Sequence, residues 1–232
     1  MRNLIGISGK IGSGKDEVFR IIQKLTNNSF ENRKFADQLK DTVCMWIGCT
    51  REQLEDRGFK EKELGDEWNK YRIITKGLPN YYVNTLEKAE NNVRHSNQRF
   101  VEVKMTPRLM LQLLGTEAGR EIIHPNIWVN ALFSNYKPVK VTEKRTDTLN
   151  LKSYKKPKWI ITDCRFSNEA QAIQDRNGIV IRLNRGDGNT GSHASETGLD
   201  NFDDFDYIVD NNGTINDLES KIERILKLEG IL

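Results

Sequence analysis

Cysteine is scarce in this chain: Cys44, Cys49 and Cys164 are the whole set. Three thiols, an odd number, make no disulfide framework and predict a reducing compartment. An excess of one charge is missing as well. The 36 basic residues nearly balance 33 acidic ones, leaving +3, so no global field argues for DNA or a membrane surface. No run approaches the roughly 18 consecutive apolar residues needed to span a bilayer. The first residues lead straight into an apolar strand, without a signal-peptide cleavage pattern. A cytoplasmic protein is the expectation. No internal repeat or linker divides the 232 residues, so we expect one domain over 1–232 with insertions.

What is present begins with MRNLIGISGKIGSGKDEV. Residues Asn3 to Ser8 read as a short buried strand. From Lys15, the apolar positions Val18, Phe19, Ile21, Ile22 and Leu25 recur at helical spacing. Residues 35–49 read as a second helix, and 51–104 as an insertion of helices and irregular structure. A helix is predicted over 106–113, with Pro107 in its first turn and Gly115 ending it, and another over 125–133. The basic, alternating stretch 137–158 reads as a hairpin or mobile excursion. WIITDCRF (159–166) reads as a buried strand stopping at Asp163, followed by a helix over 168–175 that Gly178 caps. GIVIRLNR is a further strand, a polar loop runs on through Thr197, YIVDNNG is a strand and turn, and 215–228 closes as an amphipathic helix. Strands alternating with helices predict a mainly parallel sheet covered on both faces. Ligands on such sheets bind at the carboxyl ends of strands. That edge gathers the glycine loop, Asp163 and the loop after Arg185.

Between the first strand and helix, GKIGSGKD (9–16) nearly matches the phosphate-loop pattern G-x-x-x-x-G-K-[ST]. Gly9, Gly12 and Gly14 let backbone N–H groups turn inward without clashing Cβ atoms. Those donors and the helix N-terminus favour a polyphosphate, and Lys15 reaches its terminal phosphates. Lys10 adds charge to the loop, and Glu17 is counted with it. Asp16 stands where the pattern has a hydroxyl. It would repel bare phosphate, but an intervening magnesium reverses that sign, and carboxylates are ordinary magnesium ligands. Asp16 is therefore a candidate metal ligand, direct or through water, with Ser13 as a neighbouring hydroxyl. Cys44 and Cys49 with distant histidines lack zinc spacing, so no other metal is expected.

The loop with Asp after its lysine resembles the bacteriophage-type deoxynucleoside monophosphate kinases. KFADQLKD (34–41), LLGTEAGREIIHPNIWVNAL (113–132), ITDCRFSNEAQAI (161–173), HASETGL (193–199) and DNNGTINDL (210–218) fit the same family in order. The resemblance implies a P-loop NTPase-like three-layer α/β/α kinase fold with a helical insertion and a lid over about 185–199. It implies ATP with Mg2+ as donor, a deoxynucleoside monophosphate as acceptor, homodimers, and the host cytoplasm for a phage-encoded enzyme. The ending SGKD is also similar to some phosphomevalonate kinases.

In such a transfer the attacking group is a phosphate oxygen, largely ionised at neutral pH because its second pKa is near 6. No general base is needed, in keeping with the lack of any nucleophile–His–carboxylate arrangement. Positioning and charge stabilisation carry the catalysis, so cations must converge on the transferred group. The catalytic candidates are Lys15, Arg120, Arg165 and Asp163. Arginine suits the task because its planar fork grips phosphate in two-point contact. Arg108, Arg120 and Arg165 are assigned to the acceptor side, with Asp37, Gly115, Thr116, Trp128 and Asp163; each arginine has an ordinary surface residue as its rival reading. Asp163 is a magnesium or acceptor ligand, or a helix cap. Trp128 stacks on the acceptor base or is core. Asn168 and Glu169 read as caps of the following helix. Arg185 is a donor-side contact, and His193 would orient Ser195 or Glu196. Two alternatives stay open: a kinase for another small phosphorylated acceptor, and an ATP-driven nucleic-acid-binding protein gripping a backbone with Lys137, Lys140, Lys144, Arg145, Lys152, Lys155, Lys156 and Lys158. Only Tyr154 could stack there, so a solvated hairpin is preferred.

Overall fold

A computed structural model describes residues 2–78, 80–93, 97–143, 151–186 and 198–232. The chain forms two compact units, one of Met1–Gln38 with Asn126–Leu232 and one of Leu39–Pro125. In chain order it begins with β1 (Leu4–Gly9), α1 (Lys15–Leu25), β2 (Glu31–Arg33), α2 (Asp37–Ile47), α3 (Arg51–Glu55) and α4 (Arg57–Glu61). Then come β3 (Lys70–Thr75), β4 (Tyr81–Val83), α5 (Leu86–Asn92), β5 (Gln98–Val103), α6 (Pro107–Gln112) and a π-helix (Leu113–Ile123). The last part holds α7 (Ile127–Phe133), β6 (Val139–Glu143), β7 (Leu151–Lys155), β8 (Trp159–Ile161), α8 (Ser167–Gln174), β9 (Ile179–Asn184), β10 (Tyr207–Asp210) and α9 (Ile215–Leu228).

The first unit is built on a five-stranded parallel sheet in the order β10-β9-β1-β8-β2. β1 lies in the middle, in register with β8 (Leu4 beside Trp159) and with β9 (Ser8 beside Arg182). Its side chains alternate between the faces, as the pleat requires. Ile5 and Ile7 join Val18, Ile21 and Ile22 of α1 and Leu218, Ile222, Ile225 and Leu226 of α9 in one core. Leu4 joins Val129, Leu132 and Phe133 of α7 and Ala170, Ala172 and Ile173 of α8 in the other. The result is the three-layer α/β/α class that the alternation of elements predicts. The connection after β1 leads to β2 on one side, and that after β8 leads to β9 on the other. The carboxyl end of β1 is thus a topological switch point, where such sheets bind ligands.

The second unit packs Val43, Cys44, Leu54, Met105 and Met110 into a core of its own. It contains residues 51–104, and there the structure corrects the expected helices and irregular segments. Beside α3, α4 and α5 it has a three-stranded antiparallel sheet, β4-β3-β5. Much of that sheet is solvated, and in QRFVEV two polar residues precede two apolar ones, which breaks the alternation that marks a strand. Gly115 does not end a helix either. Thr106 caps α6 by accepting from the Leu109 N–H, Pro107 sits in the first turn, and the chain then widens into the π-helix without a break. The hairpin expected over 137–158 is present as β6 and β7, paired from Val139–Lys155 to Glu143–Leu151. β8 ends at Ile161, two residues before Asp163. No helix among the described residues is long and apolar enough to cross a membrane.

Candidate functional site

The glycine loop follows β1 at the centre of the sheet. Gly12 and Gly14 hold φ of 79° and 97°, values that an L side chain resists. At Gly14 the reason is also spatial, since an added Cβ would lie 2.5 Å from Asn211 Nδ2. That amide donates to the Ser13 carbonyl at 2.9 Å, and the Asn211 N–H donates to the Asn184 carbonyl at 2.7 Å. The turn after β10 therefore braces the loop from beneath. Asn212 continues the brace, its Oδ1 accepting from the Gly186 N–H at 2.8 Å. Lys15 opens α1 and folds back over the loop, donating to the carbonyls of Gly9 at 2.6 Å and Lys10 at 2.9 Å. This posture fixes the ammonium over the concave face of the loop.

A small cavity beside the loop is lined by Ser8, Gly9, Lys15, Cys164, Arg165, Arg182 and Leu199. Two expected cations, Lys15 and Arg165, converge there. Lys10, Ser13 and Arg185 line a larger neighbouring cavity of about 840 Å³, which Arg182 and Leu199 share. Asp16 is exposed in the first turn of α1, where a carboxylate is favoured by the helix dipole. Glu17, beside it, pairs with Arg20 at 3.1 Å.

Asp163 turns out to be a clamp. Its two carboxylate oxygens accept from the backbone N–H groups of Phe35 at 2.8 Å and Ala36 at 3.0 Å. Phe35 and Ala36 form a turn, and α2 starts at Asp37 and not at residue 35. Asp37 closes the same turn by accepting from the Lys34 N–H at 3.0 Å. Burial pushes the Asp163 carboxyl up from its ordinary value, and Asp37 adds to the shift; the two N–H donors and Arg165 oppose it. Glu169 is a cap, as expected, its Oε2 accepting from the N–H groups of Arg165 at 2.8 Å and Phe166 at 3.2 Å. Asn168 does something else: it donates to Asn126 Oδ1 at 2.7 Å, tying α8 to the start of α7. Cys164 is buried, and its thiol is pushed well up by that burial and by Glu169 and Asp163.

Trp128 is only 6 % exposed on α7. Arg108, Gly115, Thr116 and Arg120 belong to the second unit. Arg108, exposed, is ion-paired with Glu61. Gly115 is buried, with Leu39 Cδ2 3.0 Å from where its Cβ would be, and Thr116 and Arg120 are half-buried on the π-helix. Of the expected lid over about 185–199, residues 187–197 lie outside the described residues, and His193, Ser195 and Glu196 with them. So do Lys144 and Arg145 of the basic stretch.

The sequence reading missed Arg182, on β9 between Leu183 and Ile181. A lone charge inside a strand buried on both faces was the available signal. Asn211 was missed too, and an asparagine in a turn gives no signal of its own.

Among the described residues no cluster of three or more His, Cys, Asp or Glu side chains could hold an ion. An ion carried by a nucleotide needs only one or two protein oxygens, and the exposed Asp16 carboxylate at the loop suits that. Ser13, which lines the larger cavity, has its Oγ buried without a hydrogen-bond partner among the described residues, 2.3 Å from where a Gly9 Cβ would lie.

Comparison with known proteins bears on the family of the chain. The family model for deoxynucleotide monophosphate kinase matches residues 66–222, more than half of the chain and wholly outside the glycine loop. The deoxynucleoside-5'-monophosphate kinase of Escherichia phage T5 is 26 % identical over 202 residues, covering 76 % of this chain and 74 % of its own. A protein of Acanthamoeba polyphaga mimivirus, provisionally named a deoxynucleotide monophosphate kinase, is 25 % identical over 228 residues, covering 94 % and 93 %.

Proposed function

Because the chain belongs to the deoxynucleotide monophosphate kinase family, we propose that it transfers the γ-phosphoryl group of ATP to a deoxynucleoside monophosphate, yielding the diphosphate and ADP. The observation that carries this reading is the convergence of Lys15, Arg165 and Arg182 on one cavity beside the braced loop. Two polyanions must meet there, and their repulsion is the main obstacle to reaction. Cations held in place by the fold offset it more strongly than mobile counterions would. The loop's backbone N–H groups and Lys15 hold the donor, with Lys10 and Arg185 along the larger cavity. Arg165, in the connection between β8 and α8, faces the transferred group.

Asp16 would hold the magnesium ion that accompanies ATP, and that ion supplies charge neutralisation across the donor phosphates. No side chain is required as a base, since the acceptor phosphate is already ionised. Asp163 serves by fixing the turn before α2, where Asp37 stands. Arg108, Arg120, Gly115, Thr116 and Trp128 are carried as acceptor-side residues on the family resemblance alone. The lid over about 185–199 and the homodimer rest on the same ground. ATP and the monophosphate are then the partners, and the host cytoplasm is the place of reaction.

The test is to incubate the protein with magnesium-ATP and each of the four deoxynucleoside monophosphates, scoring ADP and diphosphate. Turnover with at least one is expected. A folded protein inactive with all four would overturn the reading.

A further inference from the structure

The guanidinium of Arg182 is an expensive group in an unusual place. Its strand is the apolar run IVIRLN, buried on either side of it, and the side chain is only 13 % exposed. A buried charge must be paired and hydrogen-bonded to offset its lost hydration. Arginine offers five N–H donors. Among the described residues they receive little: one hydrogen bond from Nη1 to the neutral Ser8 Oγ at 3.0 Å, and Asp200 Oδ1 at 3.7 Å from Nη2, too long for a hydrogen bond. The ring of Phe205 lies 5.6 Å from the guanidinium carbon and adds a weak cation–π contact. Asp200 is itself 37 % exposed, so its charge is largely held by water.

An under-paired buried cation calls for an anion. Arg182 lines both cavities at the loop, sharing one with Gly9, Lys15 and Arg165 and the other with Lys10 and Arg185. The register that sets it beside Ser8 also sets it one residue from the glycine that starts the loop. We propose that Arg182 binds substrate phosphate directly, and that Asp200 stands in for the phosphate when the site is empty. This deepens the kinase reading and rests on it for the identity of the anion, but not for the existence of an anion site.

If so, substitutions at the two ends of the pair act with opposite sign. Inorganic tripolyphosphate with Mg2+ serves as the probe, titrated calorimetrically, with circular dichroism checking the fold. R182Q is expected to weaken tripolyphosphate binding at least tenfold and to lower kcat about 100-fold, with R182K recovering part of both. D200N removes the competing carboxylate and is expected to tighten tripolyphosphate binding several-fold. A folded R182Q that binds tripolyphosphate as the unaltered protein does would overturn the proposal. So would a D200N that weakens binding, because the pair would then be a structural brace. Should R182Q fail to fold, D200N decides alone. An unaltered protein without kinase turnover, yet with binding that depends on Arg182, would sink the substrate reading and leave this inference standing.

Discussion

Asn211 Nδ2 donates to the Ser13 carbonyl at 2.9 Å, joining residues 198 positions apart in sequence. The turn after the edge strand β10 thereby sets the shape of a loop that begins at the central strand. Asn211→Ala removes the donor and leaves a buried carbonyl unpaired, a loss of about 1–3 kcal/mol. We expect a lower Tm and a KM for ATP raised more than kcat is reduced. Gly14→Ala should be worse for nucleotide binding, since it combines a φ of 97° with a Cβ 2.5 Å from Asn211 Nδ2. Tm and steady-state kinetics of both variants check this, and an unchanged KM in Asn211→Ala would exclude the brace.

Lys15→Ala and Arg165→Ala should each lower kcat by about 100- to 1000-fold, the usual scale for removing a charge that stabilises a transition state. Neither side chain belongs to an apolar core, so the denaturant midpoint should move little. A variant that mainly unfolds would lose its catalytic assignment.

Asp163→Asn separates clamp from catalyst. An amide can accept from only one of the Phe35 and Ala36 N–H groups and sets its own donors against the other, costing about 1–3 kcal/mol. The pH dependence has a definite sign. The folded-state value is raised, so the Asp163 contribution to stability is full below its ordinary value of 3.8 and is lost as pH rises through the raised one. The stability of the unaltered protein relative to Asp163→Asn should therefore fall as pH climbs from about 4. Urea unfolding of both proteins at a series of pH values reads this difference.

Two thiols should be inert in the folded state. Burial and the neighbouring Cys49 push Cys44 up to about 11, and burial pushes Cys164 well up. At pH 8 both are almost wholly protonated, and the thiolate is the reactive form. Iodoacetamide should label Cys44 and Cys164 slowly until denaturant is added, with mass spectrometry locating the adducts. Rapid labelling of either in the native protein would contradict its packing.

Much of the parallel half of the fold was legible because each piece has a strong local signature. NLIGIS and IVIRLN are too apolar to be anything but buried strands, and α1 and α9 carry apolar residues at helical spacing. The glycine loop could be read because its chemistry demands glycine at fixed offsets. The small antiparallel sheet was not legible, since QRFVEV exposes half of its residues and its charges interrupt the period. The π-helix was hidden by Gly115, which reads as a stop when only sequence is considered. Asp163 was noticed, but its partners are backbone groups 127 and 128 residues away, and no local pattern encodes such a pairing. Arg182 was not legible as a site residue, because a single arginine in an apolar strand carries no motif of its own.

Lys15 is already engaged with two backbone oxygens, so an arriving nucleotide meets an exchange and not a vacancy. Each new contact to the ammonium displaces an older one, exchanging a neutral carbonyl oxygen for an anionic phosphate oxygen, so the net gain is the difference between the two. That difference grows further as charge redistributes during transfer. The lysine should accordingly help to hold ATP and contribute still more to how fast it reacts.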